Sequence, residues 1–124
     1  MTTFHVCHAA RLIGKGPFDQ LDLDDGFDID EYNDGGIIGS IVLSVATNNH
    51  EEGFDFNENN AGDLRVDMQF VSAIGNGEEG IDLKEDDDLG AAGDPNGGGG
   101  DLVTVMSNIV AIDNGNGANV AIVP

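Results

Sequence analysis

The chain is poor in most of what disulfide-stapled, nucleic-acid-binding and membrane-spanning proteins are built from. It has no tryptophan, one cysteine (Cys7), three prolines and only four lysines and arginines among its 124 residues. A lone cysteine excludes an intrachain disulfide framework. Four basic residues against 24 acids, a formal charge of −20, leave no cationic patch for nucleic acid or an anionic membrane surface. No apolar run approaches the roughly 18–20 residues of a spanning helix. Met1–His8 shows neither the basic nor the apolar region of a signal peptide. Apolar spacing of helical period is missing throughout, so helix is not expected.

What the chain does have is glycine, 19 of it, at fixed intervals. Gly26, Gly53 and Gly80 are 27 residues apart and open the same pattern: Gly-Phe-Asp-Ile-Asp-Glu, Gly-Phe-Asp-Phe-Asn-Glu and Gly-Ile-Asp-Leu-Lys-Glu. The register extends backwards, with Asn49-His50-Glu51-Glu52-Gly53 matching Asn76-Gly77-Glu78-Glu79-Gly80. A fixed period of this size marks a repeat architecture. Within each copy a short alternating run (Phe54, Phe56) is followed by a turn and a second alternating run (Leu64, Val66, Met68). The phase slips at Phe70-Val71, and a third run follows. Alternation indicates half-buried strands, and a phase slip indicates a bend between two of them.

Both ends align with this unit. Ala10–Gly16 matches Val71–Gly77 in spacing, and Asn119–Pro124 matches the opening strand of a further copy. Two segments exceed the period, an acidic one at 17–25 and a glycine-rich one at 89–100 containing Asp94-Pro95-Asn96-Gly97. Both are expected as loops, because insertions into repeat arrays collect there. The expectation is an all-β, single domain over 1–124, a solenoid of three to four coils that is a module of a longer chain. Strands of adjacent coils pair about 4.8 Å apart, stacking Phe27 on Phe54 on Ile81, Ile29 on Phe56 on Leu83, and Asn49 on Asn76 on Asn114.

The Asn-Gly-x-x-Gly-Ile-x-Leu pattern of Asn76–Leu83 and the run Leu64–Ala73 resemble the right-handed parallel β-helix repeats of the pectate-lyase-like superfamily. The resemblance covers most of the chain outside the loops. It implies an elongated solenoid, extracellular or on a cell surface, that binds or cleaves polysaccharide. The Gly-His-Gly and Arg-Ile-Lys elements of polygalacturonase-like relatives do not occur here.

Chemistry is sought in columns. Asp28, Asp55 and Asp82 recur at one place in the period, outward on the first strand, and Glu31, Glu58 and Glu85 form a second column. Like charges about 4.8 Å apart repel by roughly 1 kcal/mol even in water, so calcium, high salt or raised carboxyl pKa values must offset them. Weak calcium binding by these six residues is one expectation, and a merely solvated acidic face is another. Paired carboxylates also cleave glycosidic bonds, which makes Asp55 and Asp82 candidate acid and base, with Lys84 beside them. His5, Cys7 and His8 are metal-ligand types, but three bunched residues do not make the two separated pairs of a closed zinc site. Three functions follow: a non-catalytic acidic β-helix module that is structural or touches carbohydrate; a polysaccharide lyase or hydrolase; and a calcium-dependent solenoid. A stack that ends mid-repeat is expected to associate end to end or to join neighbouring coils.

Overall fold

The computed structural model describes strands Thr2–Val6 and Arg11–Ile13 and residues 25–31, 35–59, 62–86, 100–115 and 119–123. The expected loops at 17–25 and 89–100 lie almost wholly outside the described residues, as do Cys7, His8 and the side chain of His5.

Among the described residues twelve strands run in chain order: β1 (Thr2–Val6), β2 (Arg11–Ile13), β3 (Asp28–Glu31), β4 (Ile37–Val42), β5 (Val45–Thr47), β6 (Phe54–Asn59), β7 (Leu64–Gln69), β8 (Ser72–Ile74), β9 (Ile81–Asp86), β10 (Leu102–Ser107), β11 (Val110–Ile112) and β12 (Val120–Val123). Among the described residues there is no helix. Every third strand joins the same sheet, in the orders β1-β4-β7-β10, β2-β5-β8-β11 and β3-β6-β9-β12. All nine pairings are parallel. Each repeat therefore places one strand in each of three sheets.

The pairing register is the sequence period. Asp28 pairs with Asp55 and Asp55 with Asp82, while Leu12, Ala46, Ala73 and Ala111 lie in one line. Leu102 pairs with Leu64, so the strands resume in step after the second insertion. Alternation then sorts the side chains. Leu64, Val66 and Met68 are buried on one face of β7, and Arg65, Asp67 and Gln69 are exposed on the other. Phe54, Phe56, Ile81 and Leu83 join them in one core, with the rings of Phe27 and Phe56 5.5 Å apart and those of Phe27 and Phe54 6.4 Å apart.

Two devices hold the turns. The Nδ2 of Asn49 donates to Asn76 Oδ1 at 2.8 Å, and the Nδ2 of Asn76 donates to Asn114 Oδ1 at 2.8 Å, which continues the amide ladder across three repeats. A buried amide satisfied in this way avoids the penalty of an unpaired polar group. The period glycine sits against that ladder. A Cβ on Gly53 would come within 2.5 Å of the Gly80 carbonyl oxygen and 2.7 Å of the Asn76 amide nitrogen. Only glycine lets the neighbouring backbone approach so closely.

Candidate functional site

The turn that ends each repeat delivers an acidic residue immediately before the period glycine: Asp25, Glu52 and Glu79. Two residues after that glycine comes the Asp28, Asp55, Asp82 line at the start of β3, β6 and β9. Parallel pairing repeats both positions in every layer, so two columns of carboxylates run side by side. One carboxylate oxygen from each of Glu52, Glu79 and Asp82 lies within 4.8 Å of the other two. The same holds for Asp25, Asp28 and Asp55, and for Asp25, Glu51 and Glu52.

Strand parity points the Asp28 column away from the core, as expected, yet a solvated acidic face does not result. Asp28 is exposed, but Asp55 is 8% and Asp82 2% exposed. Residues of the preceding turns and of the same strands crowd over them. Asn57 donates from Nδ2 to Asp55 Oδ2 at 2.8 Å and to Asp30 Oδ1 at 2.9 Å. Lys84 forms an ion pair with Asp82 Oδ2. The backbone N–H of Glu52 donates to Asp25 Oδ1 at 3.0 Å. What these partners leave over is one buried oxygen on each inner aspartate: Asp55 Oδ1 and Asp82 Oδ1 accept no hydrogen bond.

Crowding shows in the proton equilibria. Burial, followed by a hydrogen bond to Asp25 and the charges of Asp25 and Asp55, pushes the Glu52 carboxyl up to about 8. Burial also raises Asp55, to about 6, against the lowering pull of Lys84 and with Asp82 adding to the rise. Asp28 is raised by burial and by Asp30 and Asp25. Burial disfavours the Lys84 ammonium, but its bond to Asp82 and the charges of Asp55, Asp82 and Glu52 outweigh that and raise its pKa.

The second expected column is placed differently. Glu58 and Glu85 share the core-facing parity of Phe54 and Phe56 and are buried; Glu31 is half-buried. Glu85 accepts the backbone N–H of Gly100 at 3.2 Å, which anchors the return from the second insertion. None of the close carboxylate groups among the described residues includes Glu31, Glu58 or Glu85. The sequence reasoning left Asp25, Glu52 and Glu79 out of its candidate site: Asp25 fell in the expected acidic loop 17–25, and Glu52 and Glu79 served only to extend the repeat register. Their signal was present in the same 27-residue spacing, three positions ahead of the Asp28 column.

No protein-family model matches the chain, and no curated protein or solved structure matches it significantly. The all-strand, parallel architecture stands on the structure itself; kinship with the pectate-lyase-like superfamily is not shown by these comparisons.

Proposed function

We propose that the chain is a non-catalytic, structural module of the right-handed parallel β-helix type, three strands to a coil, serving a secreted or cell-surface protein. The succession of each strand into the next of three parallel sheets supports the coil, and parallel crossovers are overwhelmingly right-handed. The pectate-lyase-like resemblance of the repeat pattern points the same way.

The observation that carries the non-catalytic reading is the burial of the candidate acid and base. A general acid or base must come within hydrogen-bond reach of its substrate. Asp82 is 2% exposed with Lys84 across one oxygen, and Asp55 is 8% exposed with Asn57 across one oxygen. A polysaccharide chain cannot reach either. Polysaccharide contact, on this reading, falls to the outer face of β7, where Arg65 and Gln69 are exposed. Neighbouring coils or a second copy would add to the outer edges of β10, β11 and β12, each of which has one strand neighbour among the described residues.

The test is an assay for reducing ends and unsaturated products over a panel of acidic polysaccharides. The expected outcome is no turnover, with Asp55→Ala and Asp82→Ala indistinguishable from the parent chain. Turnover that either substitution abolishes would establish the lyase or hydrolase instead.

A further inference from the structure

We propose that the seam between the two carboxylate columns binds calcium at two stations one repeat apart, Glu52, Glu79 and Asp82 forming one and Asp25, Asp28 and Asp55 the other. The inference rests on the stacked-coil reading above, because each station draws its ligands from two adjacent repeats.

Clustered acids alone do not make a site, since a surface this negative has many. The seam is unlike a solvated acidic surface in holding buried carboxylate oxygens that accept no hydrogen bond. Asp82 and Asp55 are both more than nine-tenths buried, and the Oδ1 of each accepts nothing from the protein. A carboxylate oxygen in that position loses its water and gains no donor, which is unfavourable unless a cation meets it. The other oxygen of each group is fixed, by Lys84 at Asp82 and by Asn57 at Asp55. The side chains are thereby held in place while Oδ1 receives no donor from the protein.

Dimensions and chemistry select the cation. Two oxygens on one calcium ion, each about 2.3–2.6 Å away, are at most about 5 Å apart, and the three oxygens of each station lie within 4.8 Å of one another. Every donor is a carboxylate oxygen, the hard ligand calcium takes, with no imidazole or thiolate to favour zinc. Magnesium demands a tighter octahedron and gives up its waters reluctantly, so it suits these ligands less well. Glu52 to Glu79 and Asp25 to Asp55 each span a repeat boundary, so the ion ties successive layers together where their charges would otherwise push them apart.

The test is isothermal titration of calcium chloride into chelator-treated protein at about 0.15 M sodium chloride, where diffuse attraction to surface acids is screened. The parent chain, Glu52→Gln, Asp82→Asn and Asp67→Asn are compared, the last removing an exposed acid of β7 outside the seam. The expected result is saturable binding of two ions per chain. Glu52→Gln and Asp82→Asn should weaken the binding of one of the two ions roughly tenfold or more, Asp67→Asn should leave both unchanged, and magnesium should bind more weakly. Should Asp82→Asn lose its fold, Glu79→Gln at a half-buried position supplies the same comparison. Absence of saturable heat, or seam variants that bind like Asp67→Asn, would overturn the proposal. Far-UV circular dichroism of the same calcium-free sample separates the two ideas. A strand-rich spectrum without calcium binding removes the cation site alone, whereas absence of strand signal with and without calcium removes the stacked coil as well.

Discussion

At the scale of single residues, the seam makes a definite statement about pH. A carboxyl whose folded-state pKa lies above its ordinary value holds its proton more tightly folded than unfolded. Between the two values the folded state therefore binds more protons, and stability falls as pH rises. Glu52 moves from 4.5 to about 8 and Asp55 from 3.8 to about 6. Without divalent cations, the denaturation midpoint is accordingly expected to rise as pH drops from about 8.5 through 6, with Glu52→Gln removing much of the slope. A midpoint that climbs with pH over that window would contradict the assignment. The Asp28 column was legible from its spacing, but the burial of its inner members was not. Strand parity correctly turned Asp55 and Asp82 away from the core. Burial came from the neighbouring turn column and from Asn57 and Lys84, whose proximity depends on how the turn bends.

At the scale of elements, the bends are as regular as the strands. Leu43, Phe70 and Asn108 occupy equivalent places after β4, β7 and β10, with φ of 53°, 55° and 54°. Asn48, Gly75 and Asp113 do the same after β5, β8 and β11, at 56°, 68° and 56°. This left-handed conformation is what the phase slip at Phe70-Val71 signalled. The sequence did not disclose its backbone angle, because leucine and phenylalanine are poor occupants of that region. Asparagine is a good one, through local hydrogen bonding of its short side chain. Asn108→Ala is thus expected to lower stability by about 1 kcal/mol although the side chain is exposed, with Asn108→Gly close to neutral. Chemical denaturation measures both, and an Asn108→Ala variant as stable as the parent would show that the bend is relaxed. Strand order and register were readable because apolar alternation and a 27-residue period fix them together. A one-residue slip would turn every core side chain outward.

At the scale of the whole molecule, one arrangement explains the glycines, the amides and the acids. Parallel stacking at a fixed period brings Gly53 against the next layer's backbone, joins Asn49 to Asn76 to Asn114, and lays carboxylate above carboxylate. The first two are favourable at every step. The third is not, and a net charge of −20 makes it worse, which is the repulsion that the proposed calcium ions would offset. The most direct measurement is a crystal structure of the chain grown with calcium, with anomalous data collected to locate the ion. The expected result is Asp28, Asp55 and Asp82 in one line across β3, β6 and β9, with an anomalous peak enclosed by Glu52, Glu79 and Asp82. These three carboxylates found apart, or peaks confined to exposed acids of the outer faces, would contradict the account.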